Sequence, residues 1–142
     1  MPEFRVSTSL RAIVAERARR CCEYCRAQER YSPDSFSVEH IVPLSKGGSC
    51  ESSNLAFACQ GCNNRKYISI EAKDPVSQEM ASLFHPRQQD WIKHFAWNED
   101  CSEMLGLTAT GRATINKLKL NRSGLVNLRR ILYDLGEHPP AF

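Results

Sequence analysis

Six residues in one chain of 142 have the types and spacing that chemistry needs. Cys22/Cys25 and Cys59/Cys62 are two Cys-x2-Cys pairs with 33 residues between them. Glu39 and His40 stand side by side in the interval. Two such pairs in a reduced compartment read as one tetrahedral zinc site, because Zn²⁺ takes four thiolates readily. One pair alone could be a thioredoxin-like redox motif, but no βαβ pattern surrounds either. Cys21 competes with Cys22 at the less usual x3 spacing to Cys25. Cys50 and Cys101 read as ordinary small residues. The cysteine count is seven and odd, which argues against a disulfide framework.

A neutral histidine beside a divalent cation can take a proton from water near neutral pH. A carboxylate is the hard oxygen ligand that Mg²⁺ prefers. On an extended strand adjacent side chains point to opposite faces, so Glu39 and His40 share a site only where the strand ends or bends. Pro43 and the loop after it supply such an end. Asn63 and Lys66, three apart on a helix, share a face. They aim an amide oxygen and a cation the same way. Asn54 could brace the His40 loop through amide-to-backbone hydrogen bonds. Taken alone, His40 reads as a satisfied strand residue and Asn54 as a turn residue.

The elements that must hold these residues are short. Leu10, Ile13, Val14 and Ala18 recur at helical spacing after Ser and Thr cap candidates, predicting a helix from Ser9 to Arg20. "FSVEHIV" and "LAFA" read as two short strands, and a helix of roughly Gly61 to Ile68 follows. The segment "EAKDPVSQEMASLFHPRQQDW", acidic and broken by Pro75 and Pro86, reads as a surface connector. His85, His94, Trp91 and Trp97 read as packing residues. "LTATGRATINKLKL" reads as a helix. In "RSGLVNLRRILYDLGEH", Leu125, Leu128, Leu132 and Leu135 share a helical face, with Ser123 as cap and Gly136 as stop. These last two helices are expected to form a hairpin joined at "LNRS".

In order along the chain, "EH-I-x-P-x-S-x-GG", "NL" and "AC-x2-CN-x2-K" together resemble the HNH endonuclease family, the ββα-metal nucleases. The resemblance covers about Cys22 to Lys66. It includes the fourteen-residue step from His40 to Asn54 and the nine-residue step to Asn63. The flanks look like those of small stand-alone bacterial HNH proteins. The implied fold is α+β: a ββα-metal core with structural zinc on Cys22, Cys25, Cys59 and Cys62. An N-terminal helix precedes it, giving a unit over 1–70, and a connector with a helical extension over 71–142 packs on that core. The resemblance also implies His40 as general base, Asn54 as a structural member of the catalytic set, and Glu39 with Asn63 as ligands of a catalytic Mg²⁺ or Mn²⁺. Lys66 and Arg65 are expected to contact phosphate. Glu stands where Asp is common, and the third motif position is Asn, making an H-N-N version.

The expected activity is metal-dependent hydrolysis of DNA phosphodiesters. One ββα site cuts one strand, so a double-strand break calls for a homodimer or two encounters. The competing reading is a zinc-stabilised nucleic-acid-binding module without catalysis. Net charge is only +3, but residues 1–33 carry seven Lys/Arg against four acids and 101–142 carry six against three. Lys117, Lys119, Arg122, Arg129 and Arg130 could line a DNA surface. No apolar run approaches the roughly 18 residues that span a bilayer, and no secretory signal opens the chain, so the expected location is cytoplasmic.

Overall fold

A computed structural model describes residues 6–141. Among these residues the mixed α+β architecture has small antiparallel sheets and five α-helices. Helix α1 runs Thr8–Arg17, entered through Ser7, whose hydroxyl accepts from the Leu10 amide. Arg19 and Arg20 then take positive φ, which stops the helix short of the expected Arg20 and swings the chain into the first Cys-x2-Cys.

Strands β1 (Ser37–His40) and β2 (Leu55–Ala58) pair antiparallel, with Glu39 opposite Ala56 and His40 opposite Leu55. Helix α2 (Gln60–Lys66) follows β2 directly. Its N-cap is Cys59, whose sulfur accepts from the Cys62 amide. The knuckle thus starts the helix, taking the place of a Ser or Asp cap.

The loop from β1 to β2 folds back on itself at the glycine pair. Gly47 takes φ +87°, and a Cβ on Gly48 would lie 1.7 Å from the Val42 carbonyl oxygen. Only glycine admits that approach. Asn54 holds the same loop. Its Oδ1 accepts from Val42 N, and its Nδ2 donates to Val42 O and Ser49 O.

The segment read as a surface connector is built differently. It holds β3 (Glu71–Lys73) paired with β4 (Met80–Ser82), then α3 (Trp91–His94) leading into β5 (Phe95–Trp97), which pairs with β6 (Met104–Gly106). Three-residue strands are too short to show alternation, which is why periodicity missed them. Leu83, Phe84 and Phe95 from this stretch are buried. The buried cluster runs continuously from Val6 through the sheet and knuckles to Leu125.

Helix α4 (Ala109–Leu118) packs on β3, β4, β6 and α2. Its Gly111 is needed for contact, since a Cβ there would meet the His94 carbonyl oxygen at 2.1 Å. Helix α5 (Ser123–Asp134) reaches the first knuckle, where Arg129 donates to Cys25 O and to Leu120 O. Ser123 is the first helical residue, so Arg122 occupies the cap position instead. Leu125 and Leu132 are buried, whereas Leu135 at the end of that face is exposed. No helix among the described residues is long and apolar enough to cross a membrane.

Candidate active site and metal centre

The sulfur atoms of Cys22, Cys25, Cys59 and Cys62 all lie within 4.8 Å of one another. Cys25 and Cys59 are 3.7 Å apart. Four sulfurs about 2.3 Å from one tetrahedral Zn²⁺ would stand about 3.8 Å apart, so the cluster fits a zinc ion. Cys21 turns its thiol to the Arg19 carbonyl instead. The second layer comes from the far end of the chain. Arg122 Nη1 donates to Cys62 Sγ at 3.6 Å, and Nη2 to Cys59 Sγ at 3.5 Å. A guanidinium on a four-thiolate site offsets its negative charge and orients its ligands.

Glu39 turns inward and is 6% exposed, while its neighbour His40, at the end of β1, is half-buried. The Glu39 carboxylate accepts from the Tyr24 hydroxyl and from Lys66 Nζ, the latter at 3.2 Å. Lys66 also donates to the Ile41 carbonyl at 2.8 Å and is 1% exposed.

Lys66 therefore departs from the expected phosphate contact: its ammonium lies in the core, neutralised by Glu39. Spacing on α2 showed which residues share its face, but not that the face turns inward. Arg65 is exposed, with Nη1 on the Gly61 carbonyl of its own helix. The proposed DNA surface loses two members for the same kind of reason. Arg129 is buried and Arg122 serves the thiols, whereas Lys117, Lys119 and Arg130 remain exposed.

His40 Nε2 lies 3.4 Å from Cys50 Sγ. Burial, and after it the Lys66 ammonium, lower the His40 pKa from its ordinary value. The ring is therefore neutral at neutral pH and can accept a proton. Cys50 had read as an ordinary small residue. It meets His40 only because the braced loop returns, and its ten-residue distance along the chain carries no signal of that. Tyr24, inside the first knuckle, was likewise unmarked by any spacing rule.

Asn63, one turn ahead of Lys66, is half-buried, and its side chain makes no hydrogen bond among the described residues. The groups expected to hold a catalytic cation are the Glu39 carboxylate on β1 and the Asn63 amide oxygen on α2. Both are hard oxygens, so the set fits Mg²⁺ or Mn²⁺ in kind. Lys66 is the competitor such an ion meets at Glu39.

A zinc knuckle, a braced His-bearing hairpin and a helix starting at the second knuckle now stand together over one stretch. The family model described as HNH endonuclease matches residues 22–67. Over this segment the chain is similar to HNH endonucleases. The matched boundaries take in both knuckles, β1, β2 and α2, and end one residue past Lys66. Comparison of the chain with curated proteins and with solved structures gives no match. The match points to nuclease or nucleic-acid-binding function, and the chain beyond it supplies Arg122 to the four-cysteine cluster.

Proposed function

We propose that the protein is a metal-dependent DNA endonuclease that nicks one strand, with His40 as general base. The observation that carries this reading is the placement of His40. It stands neutral and partly open at the end of β1, inside the HNH match, on a loop pinned by Asn54. His40 removes the proton from an attacking water. Asn54 keeps the His40 loop in register through three hydrogen bonds to Val42 and Ser49. Asn63 and Glu39 would hold a divalent cation, which supplies charge stabilisation to the scissile phosphate and to the leaving oxygen. To hold the ion, Glu39 would have to give up its contact with the Lys66 ammonium. Arg65, exposed at the end of α2, contacts backbone phosphate. The knuckle fixes the start of α2 and so the position of Asn63.

A specific observation favours a second reading. The buried Glu39–Lys66 pair leaves the carboxylate already neutralised, as in a zinc-stabilised binding module with no catalytic ion. Conversion of supercoiled plasmid to the open circle, with and without Mg²⁺ or Mn²⁺, separates the two. Ion-dependent nicking supports the enzyme. DNA retention without nicking at any ion supports the binding module.

A further inference from the structure

Beside the loop that leaves β1 at His40 lies a cavity of about 260 Å³. Its apolar lining comes from Ile41 and Val42 in that loop and from Ile70, Leu83 and Phe84. Ser82, His85 and Gln88 add polar groups. Two of the wall residues are thus the two that follow His40 in the chain. Asn54 fixes Val42 by both its amide and its carbonyl, so one brace holds the cavity wall and the His40 loop.

The polar groups have a definite character. His85 Nδ1 accepts from the backbone amides of Arg87 and Gln88, both at 3.2 Å. An acceptor at Nδ1 places the ring proton on Nε2, leaving that N–H as the available donor. Gln89 locks the segment by accepting from the His85 amide at 2.9 Å. Gln88 offers an amide that both donates and accepts, and Ser82 a hydroxyl.

Charge is what the cavity lacks. Among the described residues Lys66 is the single cationic residue lining it, and its ammonium is bound by Glu39 and the Ile41 carbonyl. His85 is held neutral, its pKa lowered by burial first and by Lys66 as well. While the Glu39–Lys66 pair is closed, a phosphate entering here would find no uncommitted positive charge among the described residues. A flat, neutral heterocycle with a hydrogen-bonding edge would find apolar walls for its faces and donors and acceptors for its rim.

We propose that this cavity receives a single unstacked nucleobase of the strand being cut, next to the scissile phosphate, so that the preferred substrate is DNA carrying an unpaired nucleotide. The inference rests on the nuclease reading above and names its substrate class. Taking a base out of the stack costs least where it is already unpaired. Tyr67, which ends α2 beside Lys66, is 73% exposed and gives the neighbouring base an aromatic face to stack on.

The test uses the full zinc-loaded chain and a duplex oligonucleotide with one unpaired 2-aminopurine, against the same duplex with that base paired to thymine. Fluorescence titrations are run without Mg²⁺ or Mn²⁺, so cleavage is not required. The expected result is a fluorescence change at the unpaired base and at least tenfold tighter binding of that probe. Ser82→Trp, which fills the cavity from the exposed strand β4, should bring the ratio to about one, and His85→Ala should lower it severalfold. Gln88→Ala, at an exposed position, should lower it too and serves should Ser82→Trp not fold. Equal binding of the two probes by the wild type overturns the proposal, as does a ratio that none of the variants changes. Loss of plasmid nicking with the ratio intact contradicts the nuclease reading and leaves the base site standing. Intact nicking with a ratio of one does the reverse.

Discussion

Lys66 Nζ lies 3.2 Å from Glu39 Oε2, in a pair whose side chains are 1% and 5% exposed. It ties α2 to β1 at the level of the proposed site. Removing one partner leaves the other charged and buried, which typically costs about 3–5 kcal/mol. Lys66→Met should therefore destabilise the fold by roughly that amount, read as a shift of the denaturation midpoint. The double variant Glu39→Gln/Lys66→Met should recover much of the loss, since no unpaired charge remains. A single variant as stable as wild type would mean the pair is not closed in solution.

Arg122 brings the C-terminal extension to the zinc site. Arg122→Ala should weaken zinc retention about 10–100-fold, the usual effect of losing a partner to a metal's ligands. Arg122→Lys should recover only part, because an ammonium cannot reach two sulfurs in a fork as a guanidinium does. Competition with a chromophoric chelator measures both. Unchanged zinc affinity in Arg122→Ala would reduce the residue to a packing role.

The pH dependence follows from His40. Burial and Lys66 hold its folded pKa below the ordinary value of about 6.5. A base must be unprotonated to act, so the single-turnover rate should be flat from neutral pH upward and fall on the acid side, centred below that ordinary value. The same depression means the folded chain binds fewer protons than the unfolded one across this window. Stability from His40 is thus present at neutral pH and lost as pH falls. A rate still climbing through pH 8 would point to a different titrating group.

Metal choice tests Asn63. With Glu39 and Asn63 as oxygen ligands, activity should appear with Mg²⁺ or Mn²⁺ and be poor with Ni²⁺ or Zn²⁺. Asn63→His replaces the amide by an imidazole and should widen the range toward transition metals, while Asn63→Ala should lose activity with all of them. Nicking rates over a panel of ions decide it. Identical profiles for wild type and Asn63→His would exclude Asn63 as a ligand.

The ββα core was legible because its signals are local. "LAFA" is β2 residue for residue, and the two Cys-x2-Cys pairs converge as their spacing implied. What stayed hidden depends on long-range contacts. Tyr24 and Lys66 meet at Glu39 across 15 and 27 residues, and Arg122 reaches Cys62 across 60. The connector hid for another reason: its strands are three residues long and its proline-broken pattern imitates a loop, although Leu83 and Phe84 are buried. Helix faces could be drawn from spacing, but which face turns inward is set by packing. Spacing therefore reads Lys66, Arg122 and Arg129 as surface cations, whereas packing sets them in or against the core.

His40 is the centre of the proposed mechanism. The measurement is the single-turnover rate of supercoiled plasmid nicking in Mg²⁺ or Mn²⁺, for wild type and His40→Ala at matched zinc content and matched DNA binding. Loss of a general base typically costs about 10²–10⁴ in rate. His40→Ala should fall by that much while binding DNA and unfolding as wild type does. Nicking at the wild-type rate would contradict the mechanism.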